Sequence, residues 1–253
     1  SFNGYRKIRV LWRSLKPDII LAISKEDKAR FTALFDFDSI YHVSNMKFDR
    51  MEKCQIAAGQ QSDSRLLVMA SIRKEEEQDV LYLIEQLLRR FPELEIGLFP
   101  RHMHRVKRWT EMLSENQISR VLKSVSSEDV NCSVVIWDVF GELVNAYRRA
   151  DAAFVGGSLA PVGGQNFIEA FMNGVVPVTG PSISNFLWAG EEVIKDDLLR
   201  KGNDREEVLQ LLVDSLENPV DKAVIQLNAD NYIGRKQGGS SKTCEYIVAL
   251  LSE

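Results

Sequence analysis

The densest chemical signal in this sequence is the run Gly156-Gly157-Ser158-Leu159-Ala160-Pro161-Val162-Gly163-Gly164-Gln165-Asn166-Phe167-Ile168-Glu169, in which two glycine pairs bracket a loop between an apolar stretch and a helical pattern. Glycine takes positive φ without strain and lets backbone approach a ligand closely. The second pair falls at the expected amino end of a helix, where unpaired N–H groups and the positive end of the dipole favour a phosphate. Asn166 and Glu169 are three residues apart, so a helix brings both to one face. A carboxylate there can accept both hydroxyls of a ribose. The plainer alternative gives the glycines only a tight turn, makes Gln165 or Asn166 a helix cap and leaves Glu169 a solvated first-turn acid. That alternative fits a bare glycine loop, a common pattern; the density of this one favours a nucleotide.

Three other loops follow apolar runs and hold unusual residues. Ser71-Ile72-Arg73-Lys74 is one, and Pro100-Arg101-His102 with His104 is another. Arg101 offers a planar fork suited to a phosphate or carboxylate, against the alternative of a surface salt bridge. A His-x-His metal site is weaker, because no carboxylate or cysteine nearby has ligand spacing. The third, Phe140-Gly141-Glu142-Leu143, opens a helix whose backbone could read a base. No Ser-His-Asp order, Walker loop or pair of catalytic carboxylates is present.

The elements that must position these loops alternate. From Arg65 the pattern gives strands over 66–70, 94–99, 134–137, 152–155 and 175–178, and helices over 75–90, 104–123, 142–149 and 165–173. Such alternation predicts an α/β fold with a doubly wound parallel sheet, and the strands are too apolar for either face to meet water. In such a sheet ligands collect beyond the carboxyl ends of the strands, where all these loops lie. Upstream, residues 5–16 read as an amphipathic basic helix, which could lie on a membrane or pack on a domain. A short strand over 19–23, a helix from Ser24 and a strand over 40–43 follow, and residues 55–64 lose periodicity like a linker. Beyond Glu191 the chain reads as mostly helical, most clearly over 204–217 and 240–251.

Composition sets limits. The 253 residues are 45% hydrophobic and 27% charged with a net charge of −4, which suits a globular protein and argues against a dedicated nucleic-acid partner. The three cysteines, Cys54, Cys132 and Cys244, indicate neither a disulfide framework nor a zinc knuckle, and a reducing cytoplasm fits. No apolar run reaches the roughly 20 residues of a membrane span. The start at Ser1, in the middle of a pattern, reads as a truncated or processed product.

Taken together, these pieces resemble the C-terminal domain of the transferases of 3-deoxy-D-manno-octulosonic acid (Kdo), GT-B glycosyltransferases that move Kdo from CMP-Kdo to lipid A precursors. The matching residues are Ala70-Ser71 with Glu75-Glu76, Pro100-Arg101-His102, Gly141-Glu142-Leu143 with Tyr147, Gly156-Gly157-Ser158, Gly163-Gly164-Gln165-Asn166 with Glu169, and Gly180-Pro181 with Asn185-Phe186. Gly4-Tyr5, the strand over 19–24 and Asn45-Met46-Lys47-Phe48-Asp49 resemble the end of that family's N-terminal domain. The resemblance implies a Rossmann-like donor domain over 65–253, a linker over 51–64 and a remnant of the acceptor domain over 1–50. It implies that Arg101 and the backbones of Gly156, Gly157, Ser158, Gly163 and Gly164 surround the donor phosphate and sugar acid, with Ser71 near the phosphate or Kdo. Gly141, Glu142 and Leu143 would lie against the cytosine, Asn166 and Glu169 would hold the phosphate and ribose side, and Pro100 and Gln165 would be among the substrate-binding residues. The general base would be an acid early in the family's N-terminal domain, so no residue of this chain is a candidate for that role. No cofactor or metal is implied. The implied partners are a CMP-sugar donor, a lipid A precursor and the inner-membrane surface, with no nucleic acid; the whole protein would work at the cytoplasmic face of the bacterial inner membrane, and this fragment alone would be soluble.

The sequence departs from the family at Gln165, where His is usual, at Ala170, where Pro is usual, and at Ile72-Arg73-Lys74-Glu75 in place of Thr-His-x-Gly. Gln cannot act as an acid-base imidazole, so a divergent acceptor or an altered donor is compatible with the pattern. Two alternatives stay open at this point: a GT-B enzyme or epimerase using a UDP-sugar, and a degenerate, non-catalytic nucleotide-binding module.

Overall fold

The computed structural model describes residues 4, 7–15, 17–35, 37–51, 65–125 and 132–252. The linker expected over 51–64 lies outside them except for Met51, as do Tyr5, Arg6 and Lys16 of the expected N-terminal helix. The chain divides into two compact units. One gathers Ser1–Lys53, Leu187–Gly190 and Asn231–Glu253, and the other gathers Cys54–Phe186 and Glu191–Asp230. Residues 231–253 therefore group with the N-terminal residues rather than with the donor domain to which the sequence reading gave them.

In the smaller unit, helix α1 (Arg9–Ser14) precedes strand β1 (Ile20–Ala22), helix α2 (Lys25–Phe35) and strand β2 (Ile40–His42), which pairs parallel to β1. Ser24 starts α2 as expected, its Oγ accepting from Asp27 N at 2.9 Å. The terminal helix Gly239–Leu251 is tied to the chain near Phe48, because the Asp49 carboxylate accepts from the amides of Gly238 and Ser240 at 2.6 Å each. No helix among the described residues is long and apolar enough to cross a membrane.

Among the described residues the larger unit is built on seven parallel strands: β3 (Leu66–Ile72), β4 (Glu95–Pro100), β5 (Arg120–Leu122), β6 (Val134–Ile136), β7 (Ala152–Val155), β8 (Pro177–Thr179) and β9 (Arg200–Lys201). Their order is β5-β6-β4-β3-β7-β8-β9. The chain runs outward from β3 on one side, then returns to lay β7 against the other side of β3, so the order reverses between β3 and β7. Leu67, Val68, Met69 and Ala70 are all fully buried, which requires cover on both faces of the sheet. Helix α3 (Glu77–Arg90) supplies part of that cover through Val80, Leu83, Ile84 and Leu87, spaced to form one apolar stripe. It ends at Phe91, just before Pro92, which cannot continue a helix.

Four elements differ from the sequence reading. The helix expected over 104–123 is α4 (Val106–Glu115), stopped where Gln117 takes a left-handed φ of 57°; the residues beyond it form the edge strand β5. That strand and the two-residue β9 are too short, and β9 too polar, to leave a periodic trace. The helix expected over 165–173 is a single turn, α6 (Ile168–Phe171), following α5 (Leu143–Arg149) in the chain.

Candidate functional site

The crevice beyond the carboxyl ends of β3 and β7 is where an open parallel sheet with this reversal offers a ligand site. At the end of β3, Ser71 is half-buried with φ 57°, a left-handed conformation that side chains rarely adopt. This kink follows an irregularity in the pairing with β4, where Ile72 aligns with Pro100. Arg101 is exposed immediately after Pro100, its amide fixed to Ile72 O at 2.9 Å while its guanidinium has no partner among the described residues. His102 and His104 are exposed and stack with ring centroids 5.5 Å apart, and no group of three His, Cys, Asp or Glu side chains forms a metal set among the described residues.

The first glycine pair does not present free amides. Gly156 N donates to Ala70 O at 2.8 Å, while the Glu76 carboxylate accepts from Ser158 N at 3.1 Å, Leu159 N at 3.2 Å, Arg73 N at 3.0 Å and also from Gly157 N. Glu76 is only 1% exposed; burial pushes its pKa up from the usual carboxylate range, and the amides pull it back. A protein carboxylate thus already fills the nest in the 156–158 backbone that the resemblance places around the donor phosphate and sugar acid. Gly156 is obligatory for the same reason, since a Cβ there would lie 2.5 Å from Glu76 Oε1 and 2.9 Å from Ser71 O. Gly156→Ala is expected to lower the unfolding free energy by about 1–3 kcal/mol in urea titration; a loss below about 0.5 kcal/mol, the range of an ordinary surface substitution, would mean that the carboxylate moves aside freely.

Ser158 is fully buried and braces the next turn, its Oγ donating to Val155 O at 2.7 Å and accepting from Gly180 N at 2.9 Å. The second glycine pair has left-handed φ values of 95° at Gly163 and 81° at Gly164. Its amides are also engaged, Gly163 N with Ser182 Oγ at 2.9 Å and Gly164 N with Gly157 O at 2.7 Å. The free donors lie just beyond: the amides of Gln165, Asn166 and Phe167 have no acceptor among the described residues. Neither Gln165 nor Asn166 caps α6, which corrects the capping alternative; Gln165 Nε2 instead donates to Gly164 O at 3.2 Å. Asn166 is exposed and precedes the helix, so it shares no helical face with Glu169.

Glu169 is half-buried, and its carboxylate has no hydrogen-bond partner among the described residues. Desolvation pushes its pKa above the usual carboxylate range. Tyr147, buried in α5, has its hydroxyl pKa driven far up, first by burial and then by the Glu169 charge, which makes Glu169 a neighbour of that ring. Beyond β6, Gly141 has φ 86° and is exposed, while Glu142 and Leu143 are half-buried at the start of α5. No backbone acceptor takes up the amides of Gly141, Glu142 or Leu143 among the described residues. Below that loop Trp137 stacks on Phe99 at 4.4 Å.

Two residues of this region were not read as site residues from sequence alone. Glu76 and Glu77 look like first-turn acids, yet Glu77, three positions before Val80, falls on the buried stripe of α3, and Glu76, at the end of the 3-10 turn that leads into the helix, is buried as well. Glu77 is 5% exposed and holds Arg105, whose Nε donates to Glu77 Oε1 at 2.8 Å with a second bond to Oε2. A groove lies elsewhere, between α3 and helix α7 (Arg205–Glu217), and includes Arg90, already paired with Glu217.

No family model matches the chain. Among curated proteins it is 29% identical over 177 residues to the 3-deoxy-D-manno-octulosonic acid transferase of Chlamydophila psittaci, covering 68% of this chain and 38% of that protein. It is 26% identical over 238 residues to the transferase of the same name from Bordetella pertussis, covering 90% of this chain and 55% of that protein. The chain thus spans about half the length, or less, of these relatives. Among solved structures it matches the C-terminal CMP-Kdo binding domain of WaaA from Acinetobacter baumannii with a TM-score of 0.62 and 26% identity, covering 68% of this chain and 90% of that one. A glycosyltransferase from Rickettsia africae shares the fold at 14% identity, with a TM-score of 0.64 over 97% of this chain and 67% of that one. By sequence and by fold the chain is similar to the 3-deoxy-D-manno-octulosonic acid transferases, and its larger unit has a GT-B-type α/β fold.

Proposed function

We propose that the larger unit binds the cytidylate of CMP-Kdo and that the whole protein, an inverting glycosyltransferase, passes Kdo to a lipid A precursor at the cytoplasmic face of the inner membrane. One observation carries this reading: the loops at the carboxyl edge of the sheet leave an unpaired guanidinium, a run of three open amides and a half-buried, unpartnered carboxylate. These are the complements of a phosphate and a ribose. In this reading Arg101 and the amides of Gln165, Asn166 and Phe167 take the phosphate, and their positive charge and dipoles offset the charge developing on the leaving group without a metal. Glu169 accepts the ribose hydroxyls, and the open amides of Gly141, Glu142 and Leu143 face the acceptor edge of the base. Ser71, whose hydroxyl has no partner among the described residues, lies on the sugar side. The likeness to a CMP-Kdo binding domain and to Kdo transferases supports cytidine over uridine.

Calorimetry with CMP and UDP tests the reading. CMP is expected to bind about tenfold or more tightly than UDP, a difference of at least about 1.4 kcal/mol. Preference for UDP would replace it with a UDP-sugar enzyme, and binding of neither would leave a module without nucleotide function.

A further inference from the structure

We infer that Glu76 and Glu77, neighbours at the start of α3, are positioning residues for the donor site: one fixes the glycine loop on one side of β3 and the other fixes the arginine loop on the opposite side. The inference rests on the cytidylate-binding reading and adds to it residues that touch no ligand. β3 lies between β4 and β7 in the sheet, and the loops leaving those two strands carry Arg101 and the glycine run. Glu77, through its two bonds to Arg105, anchors the arginine loop four residues after Arg101. Glu76 anchors the glycine loop through the amides of Gly157, Ser158 and Leu159, and ties the turn after β3 to the same oxygens through Arg73 N.

The chemistry of the Glu76 site sets its role. Four N–H donors converge on two oxygens, an arrangement that fits an acceptor-only, ionised carboxylate and not a protonated acid carrying its own donor. A resident anion in the nest repels a second one, so a ligand phosphate is directed to the open amides further along the loop. Those amides depend on the nest for their placement. Gly157, held by Glu76 through its N–H, accepts from Gly164 N at 2.7 Å, and Gly164 immediately precedes Gln165. The other charges near this turn are Arg73, paired with Glu75 at 3.4 Å, and exposed Lys74. Neither replaces the four amides.

The test compares wild type with Glu76→Gln and Glu77→Gln, using CMP and cytidine as ligands in calorimetry at a temperature where circular dichroism shows each variant folded. In Glu76→Gln the affinity for CMP is expected to fall about 10- to 100-fold, as when reacting groups are displaced by an ångström, with cytidine affinity changed less than threefold. A purely structural role would weaken both ligands alike, so an unchanged CMP-to-cytidine ratio overturns the inference, as does unchanged CMP affinity. Should Glu76→Gln not fold, Glu77→Gln carries the same comparison through the Arg101 loop. If wild type itself binds no CMP, the donor reading fails separately. The positioning inference is then decided by amide NMR of ligand-free Glu76→Gln, in which shifts reaching Gln165, Asn166 and Phe167 support it and shifts confined to residues 157–159 overturn it.

Discussion

Replacing Arg101 by alanine is expected to weaken CMP binding by about 10- to 100-fold while leaving cytidine binding unchanged, because a charge-assisted hydrogen bond contributes roughly 1.5–3 kcal/mol. The side chain is exposed and unpartnered among the described residues, so its removal costs the fold little. The unfolding midpoint therefore stays near that of wild type, and the loss belongs to the ligand. Arg101→Lys keeps the charge but not the planar fork, and should recover only part of the affinity. The salt dependence of CMP binding should also flatten in Arg101→Ala, since one cation no longer meets the phosphate. Equal CMP-to-cytidine ratios in wild type and Arg101→Ala would remove Arg101 from the site.

Glu169→Gln is expected to cut cytidine affinity about tenfold at neutral pH, from loss of one charged acceptor, and to remove a pH dependence that wild type shows. The carboxylate is desolvated and unpartnered, so its pKa lies above the usual range. Ribose hydroxyls need the ionised form as acceptor. Affinity of wild type should therefore climb as pH rises through that raised value and level off above it. Cytidine is the suitable ligand, because it carries the ribose without a titrating phosphate. A 2′-deoxy ligand should lose most of the wild-type advantage. Stability runs with the opposite sign. A raised folded-state pKa means that the folded protein holds the proton more tightly, so the contribution of Glu169 is present at low pH and is lost as pH rises from the ordinary carboxylate value through the raised one. Glu169→Gln should thus be no less stable than wild type at neutral pH, the usual trade between a site and its fold. A pH-independent wild-type affinity would contradict the role given to Glu169.

The sequence makes the architecture of the larger unit readable because its central strands are buried on both faces and run apolar without interruption, as 66–70 and 152–155 do. It hides β5 and β9 because three and two edge residues leave no period to detect. It exaggerates α6 because Gln165, Asn166 and Phe167 have helical neighbours in sequence, while the left-handed Gly163 and Gly164 turn the chain until Ile168. At the proposed site, glycine content marks the loop, but which amides remain free is a tertiary fact. Gly157 and Ser158 lose theirs to Glu76, a residue 81 positions away from Gly157. Glu76 stands immediately before the apolar stripe of α3, and its burial there becomes legible only once the start of the helix is known. The grouping of residues 231–253 with the N-terminal unit follows from contacts such as Asp49 with Gly238 and Ser240, and local pattern contains no hint of it.

The central claim is that a cytidylate is held by the open donors and acceptor at the carboxyl edge of the sheet, and not by the amides that Glu76 occupies. Titration of the isotopically labelled protein with CMP, followed by backbone amide resonances, tests it most directly. The largest shifts are expected at Arg101, at Gly141, Glu142 and Leu143, and at Gln165, Asn166 and Phe167, with smaller ones at Gly157 and Ser158. Saturable binding with its largest shifts at Gly157, Ser158 and Leu159, or on the groove between α3 and α7, would contradict it.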